Sequence, residues 1–370
     1  METIWGLDAE AAVVRRALRL INEGALDEDS VEALAGRLGI GARHLLGLFG
    51  RHVGASPVAV AQSAEEVVLR LAYRPPYDWA HLRDFLAARA ISGVERVDAR
   101  GYARTVACEG GHALICVRAL TGQDALELRV RGAPPVALLQ LASVARRAFD
   151  LAADPARIGV ELATDPLVGP LVRKRPGLRI PGAWDAFECA VRAVLGQQVS
   201  VAAGRTFAAR LVQRAGVAIR GGAEGLTHLF PTAASLASAN LDHLGITRAR
   251  AATLHALARA VLERRLDFSA APEALAAALT ALPGIGSWTA QYVALRALGE
   301  PDALPTGDLV LRRMAAPRHR VLSARELEER ARDWRPWRGY AVMHLWRAAG
   351  SRDARIDNRP NQPARVRAPA

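Results

Sequence analysis

The chain has 370 residues, 51% of them hydrophobic, and carries 49 Lys and Arg against 37 Asp and Glu, for a net charge of +12. That length suits two to three domains with cores of their own. No apolar run reaches the ~18–20 residues that span a bilayer, and Met1–Gly6 lacks the charged-then-apolar start of an export signal, so no membrane partner and a cytoplasmic location are expected. A basic balance favours polyanionic partners, although Lys174 is the only lysine and the abundance of Arg and Ala also follows from GC-rich codon usage.

Residues 1–66 read as a separate helical unit. Positions 14–21 have helical apolar spacing, Asp29-Ser30 is placed to cap a helix over 31–38, and a third helix starts at Ala42 after the turn Gly39-Ile40-Gly41. Two helices across a short glycine turn are the helix-turn-helix pattern.

Residues 70–155 change character. Short strands with partial alternation are expected over 94–97, 102–108, 112–118 and 125–130, with turns at Gly110-Gly111 and 122–124 and a helix over 138–149. This is an antiparallel α+β unit. Cys108 and Cys116 either face each other on a hairpin or, like Cys189, are small buried thiols in a reducing compartment.

Residues 156–352 read as helical with short Gly/Pro punctuation. Helices are expected near 184–196, 199–215, 232–237, 240–243, 247–265, 271–281, 287–298, 309–314, 323–333 and 337–349. The polar, proline-containing tail 353–370 is expected to be disordered. The fold class is therefore mostly α with an α+β domain.

The chemistry concentrates in Leu282-Pro283-Gly284-Ile285-Gly286-Ser287-Trp288-Thr289-Ala290-Gln291-Tyr292, followed by Pro305-Thr306-Gly307-Asp308. The first run reads as a helical hairpin with two glycines at its tip. Glycine lets the backbone turn tightly and approach another molecule, and amides at the start of the next helix can grip a phosphate. Asp308 sits in a loop leading into a helix, where it serves as an N-cap, as a catalytic carboxylate, or as both. Trp288 and Tyr292, four apart, share a helix face.

These segments resemble the helix-hairpin-helix DNA glycosylases. The flanks 184–188, 191–200 and 334–340, with Arg74-Pro75-Pro76-Tyr77-Asp78-Trp79 and Phe85-Leu86-Ala87-Ala88-Arg89-Ala90 upstream, resemble the AlkA-type branch, the 3-methyladenine DNA glycosylase II family. The resemblance covers roughly residues 70–350. It implies a helical glycosylase core behind an antiparallel α+β domain, and excision of alkylated purines from double-stranded DNA by a bacterial, nucleoid-associated monomer. It implies Asp308 as the catalytic carboxylate, and a base pocket of Trp288, Tyr292, Trp346 and Phe85. Gly284, Gly286 and Ser287 would meet a DNA phosphate, and Gln198 stands where relatives insert an apolar wedge into the duplex.

An N-glycosidic bond breaks with positive charge developing on the sugar, which a fixed carboxylate stabilises, and the nucleotide must first leave the stack. Electron-rich rings attract cationic N3- or N7-alkylpurines, and such a pocket needs few hydrogen-bond donors. Related bifunctional enzymes place a lysine where this chain has Trp288. A Trp cannot form a Schiff base, so a monofunctional enzyme that leaves an abasic site is expected. No cofactor is expected, beyond a monovalent cation at the hairpin carbonyls. The iron–sulfur cluster of some such glycosylases needs four C-terminal cysteines, and none follows Cys189.

The segment 1–66 resembles the first helix-turn-helix of AraC-type regulators, including Gly54-Ala55-Ser56-Pro57. It is either a remnant with weak DNA binding or an auxiliary DNA contact. The competing reading of the whole chain is a DNA-binding regulator of the alkylation response with an inert glycosylase fold.

Overall fold

The computed structural model describes residues 4–27, 29–62, 65–219, 224–317 and 320–357. The N-terminal helices are α1 (Ile4–Asn22), α2 (Val31–Arg37), α3 (Ala42–His52) and α4 (Pro57–Ala61). Ser30 and Ser56 cap α2 and α4 by accepting from the amides of Ala33 and Ala59, as short polar side chains do at helix starts. α2 and α3 meet across Gly39, whose φ of +73° turns the chain.

This segment is not packed by itself. Val14, Leu18, Leu34, Leu45, Leu48 and Phe49 share one hydrophobic core with Val67, Leu69, Leu71, Ile115, Leu128, Leu141 and Phe149 of the following domain. The reason lies in a strand that the sequence reading passed over, β1 (Glu66–Ala72), whose Val67, Leu69 and Leu71 alternate inward. Gly54 packs against its backbone, accepting from the Arg70 amide at 2.8 Å. A Cβ on Gly54 would lie 2.6 Å from the Arg70 carbonyl oxygen, and its φ of +92° suits only glycine.

α5 (Trp79–Ala87) follows, then β2 (Glu95–Asp98), β3 (Gly101–Cys108), β4 (Gly111–Ala119) and β5 (Ala125–Arg131). The sheet is antiparallel throughout, in the order β1-β5-β4-β3-β2. Its register sets Cys108 opposite Gly111 and Cys116 opposite Ala103, so the two thiols do not face each other; both are free. α6 (Leu138–Ala148) closes the first core.

The rest is helical: α7 (Pro155–Leu162), α8 (Gly169–Lys174), α9 (Ala186–Leu195) and α10 (Val201–Ala215); a two-strand pair β6 (Val217–Ala218) and β7 (His228–Leu229); then α11 (Ala233–Ser238), α12 (Arg248–Leu262), α13 (Pro272–Thr280), α14 (Ser287–Val293), α15 (Leu309–Met314), α16 (Ala324–Arg330) and α17 (Arg338–Asp357). Residues 240–243 form a turn and not the expected helix. The Asn240 side chain takes the Asp242 amide at 2.8 Å, a local bond that competes with helix, and His243 has φ +65°. α17 runs to Asp357, into the tail expected to be disordered; 358–370 lie outside the described residues.

Sheet and helical core are joined by charge. Arg104 on β3 pairs with Glu188 on α9 at 2.7 Å, and Arg192 on α9 pairs with Glu188 and with Glu95 on β2, each at 2.9 Å. Tyr102 donates to Glu95 at 2.7 Å and the Ile91 amide to its other oxygen at 3.0 Å. Arg104, Glu95 and Glu188 are buried. Burial alone would raise the Glu95 carboxyl, but Arg192, Arg104 and these hydrogen bonds together hold it below the usual range. Burial alone would likewise lower Arg192, and Glu95 and Glu188 raise it well above normal.

Removing one member of a buried ion network strands its partners. Glu188→Gln is expected to cost about 3–5 kcal/mol in urea denaturation, whereas Glu10→Gln, which breaks the more exposed pair with Arg51, should cost much less, because solvent screens that pair. Similar losses would show that the network is not a structural joint.

Candidate functional site: an aromatic cleft around Asp308

The hairpin joins α13 to α14. Gly284 has φ +84°, and a Cβ there would collide with the Thr253 side chain of α12, so glycine is required twice over. α14 starts after Gly286 with no side-chain cap, leaving its first amides open, and Gly286 and Ser287 are exposed. The adjoining α9–α10 loop is tied to this hairpin. Gln197 Nε2 donates to the Gly284 carbonyl at 2.9 Å and to Thr289 Oγ1 at 3.1 Å, while Arg250 holds the Gln197 carbonyl at 2.6 Å. Gln198, next in the chain, is exposed with φ +54°. This left-handed backbone is costly outside glycine and is held by the braced turn.

The Asp308 loop is pinned from α14, where Gln291 Oε1 accepts from the Leu304 amide at 3.0 Å. Gly307 passes over Trp288, with room for no more than a tight Cβ contact at 3.3 Å. Asp308 is the N-cap of α15, its Oδ1 accepting from the Leu311 amide at 2.9 Å. Two indoles also donate to it: Trp288 Nε1 to Oδ2 at 3.1 Å and Trp346 Nε1 to Oδ1 at 3.3 Å. Both cap and candidate reactive group are therefore realised in one residue, with Oδ2 held by a single side chain.

Trp288 and Tyr292 are stacked, with ring centroids 5.3 Å apart and planes 19° apart, and Tyr292 lies 6.2 Å from Trp346. These rings and Asp308 line one cleft of about 390 Å³, with Val199, Ser200 and Val201 from the α9–α10 turn. Four of the five residues expected to surround the reacting bond are thus brought together. Phe85 is not among the lining residues. It is buried, and the guanidiniums of Arg89 and Arg296 lie over its ring at 3.7 and 4.7 Å.

The cleft also differs from the donor-poor pocket expected. Arg89, Arg192 and Arg296 line it, and Arg296 Nη1 donates to Tyr292 Oη at 2.6 Å. The sequence carried a signal for two of them. Arg192 sits four residues after Glu188 on a helix otherwise apolar, and Arg296 interrupts Val293-Ala294-Leu295 and Ala297-Leu298. A charge inside an apolar run is either paired or in use.

Family models match almost the whole described region beyond the N-terminal helices: the AlkA N-terminal domain over residues 68–185 and the HhH-GPD superfamily base excision DNA repair protein over 191–338. The chain is 34% identical to the "Probable bifunctional transcriptional activator/DNA repair enzyme AlkA" of Mycobacterium tuberculosis, covering 92% of this chain and 81% of that protein. It is 37% identical to "DNA-3-methyladenine glycosylase 2" of Escherichia coli (strain K12), covering 76% of this chain and 97% of that one. The fold matches the 3-methyladenine DNA-glycosylase from Archaeoglobus fulgidus with a TM-score of 0.67 at 19% identity, over 76% of this chain and 98% of that chain.

The cap and the two indole bonds make a stability prediction independent of chemistry. Asp308→Ala should cost roughly 1–3 kcal/mol, and Asp308→Asn, which keeps an acceptor for Leu311, clearly less, both by urea denaturation. Equal losses would mean that the side chain does not hold the α15 start.

Proposed function

Because the chain belongs to the AlkA-type, HhH-GPD superfamily of base excision DNA glycosylases, and so excises alkylated bases in DNA repair, we propose that Asp308 carries the reaction in the cleft described. The observation that carries this reading is the one carboxylate among the described residues lining the aromatic cleft, oriented by Trp288 and Trp346. As the base leaves, positive charge builds on the sugar, and a carboxylate already fixed in place stabilises it without reorganising. Asp308 then accepts or directs the proton of the water that attacks the sugar carbon.

The substrate proposed is an alkylated purine flipped from double-stranded DNA. Extrusion costs a few kcal/mol, offset in the cleft by stacking on Trp288, Tyr292 and Trp346 and, for cationic bases, by ~1–2 kcal/mol of cation–π attraction when desolvated. The open amides at Gly284, Gly286 and Ser287 are read as the phosphate grip. Gln198 is read as the wedge that fills the place of the flipped base: it is exposed at the tip of a turn braced against the hairpin. A monovalent cation at the hairpin carbonyls belongs to the same reading, with the Gly284 carbonyl already engaged by Gln197.

The lysine needed for strand cleavage is absent from the hairpin helix, where Trp288 stands. The proposed enzyme is monofunctional and leaves an abasic site. The regulator reading receives less support, because the carboxylate, hairpin and rings are all in working register.

Purified protein incubated with methylated duplex DNA should release 3-methyladenine or 7-methylguanine. Asp308→Asn should lower release by at least about a thousandfold while duplex binding persists. Borohydride should trap no covalent complex. Full activity in the variant would remove Asp308 from its role, and a trapped complex would overturn the monofunctional assignment.

A further inference from the structure

The arginines Arg89, Arg192 and Arg296 that line the cleft are not equivalent. Arg192 belongs to the buried network, where two guanidiniums face two carboxylates. Arg89 and Arg296 have no carboxylate partner among the described residues. Arg296 is spent on neutral acceptors: Tyr292 Oη and the carbonyls of Pro181 and Gly182. Arg89 donates to the Phe85 carbonyl at 3.3 Å, and its guanidinium lies 3.7 Å over that residue's ring. Burial beside Arg296 and Arg192 pushes it down to about 10, so it remains charged at neutral pH.

A pocket tuned only for cations would not keep two uncompensated positive charges at its wall. The charge makes sense for the opposite problem. An N3- or N7-alkylated purine departs as a neutral base and needs stacking more than it needs a counter-charge. A neutral purine lesion departs as an anion, and its barrier depends on where that charge goes.

Resting on the reading of this cleft as the base-binding site, we propose that Arg89 is the leaving-group residue for neutral purine lesions that carry an exocyclic carbonyl. The bond from the sugar carbon to the base nitrogen breaks, and its electron pair stays on the base, spread over the ring and onto the carbonyl oxygen. The Arg89 guanidinium hydrogen-bonds this anion and keeps its own proton. Water adds to the sugar carbon and its proton leaves by way of Asp308, while the released base takes a proton from solvent. Arg296, bonded to Tyr292 Oη, adds to the same field. The rings serve cationic bases and the guanidinium serves neutral ones, which gives one cleft two substrate classes.

The test is single-turnover excision of hypoxanthine and of 7-methylguanine from matched duplexes by wild type, Arg89→Gln and Arg89→Lys, with a thermal melt of each protein. A charge-assisted hydrogen bond lost in the transition state should slow hypoxanthine release by about 10- to 100-fold in Arg89→Gln. The hypoxanthine-to-7-methylguanine ratio should fall at least about tenfold, and Arg89→Lys should restore most of it. If Arg89→Gln does not fold, Arg89→Met, which keeps the stem over Phe85, is measured instead. An unchanged ratio, with both rates falling together, would make Arg89 a packing residue and overturn the proposal. So would a wild type that releases 7-methylguanine and no hypoxanthine. A wild type that releases neither base would bring down the reading of the cleft itself, and this proposal with it.

Discussion

Everything at the cleft depends on a buried ionic joint. Glu95 on β2, Arg104 on β3, and Glu188 and Arg192 on α9 are sealed between sheet and helical core. Such networks are not efficient stabilisers, because desolvating the charges costs as much as their attraction returns. What they provide is geometry: a guanidinium and a carboxylate satisfy one another at one distance and one angle, whereas greasy faces slide. Arg192 also donates to the Arg89 carbonyl at 2.6 Å, so the same joint fixes the end of the segment that carries Arg89. An apolar seam of equal area would bind the two layers without setting where that side chain stands.

A second constraint acts at Asp308. Helix starts leave amides without partners, and Asp308 answers that need for α15 with Oδ1. The same oxygen, and its neighbour, accept from two indoles that also form the stacking walls. Walls and carboxylate therefore cannot shift independently. A ring that moves does so against a group bonded to its own nitrogen, at 3.1 Å for Trp288. In the reaction proposed, this is preorganisation: the carboxylate offered to the developing cation is held by the same indoles offered to the base.

Much of this was legible in the sequence because it is local. Caps at Ser30 and Asp308, the glycine tip of the hairpin and the spacing of Trp288 and Tyr292 are decided within a few residues. What was missed depends on distance along the chain. β1 exists through pairing with β5, some sixty residues later, and its apolar alternation was lost beside a polar stretch. Arg104 meets Glu188 across 84 positions, a pairing that no local pattern announces. Phe85 was placed against the base by resemblance, yet the ring is covered by two guanidiniums, because a buried aromatic face is the cheapest place to lay a charge that has no carboxylate. Residues 240–243 are a turn for a local reason: the Asn240 side chain captures the Asp242 amide before a helix can.

The N-terminal helices follow from the same logic of shared surface. Their apolar faces pack on one another, but a helical unit of that size is marginal alone. It is completed by β1, α6 and the rest of the first core, and Arg146 on α6 donates to the carbonyls of Arg51 and His52 at the end of α3, at 2.7 and 2.8 Å. Those are the carbonyls that a helix end leaves without partners, so α3 ends on the glycosylase domain and not in solvent. Its outward positions, Arg43, His44, Leu46, Gly47 and Gly50, remain exposed. A segment fastened by core, strand and cap is not a tethered reader that searches independently of the enzyme. Whatever its exposed face meets, it meets at an orientation set by the sheet that also carries Glu95 and Arg104, and through them by the cleft.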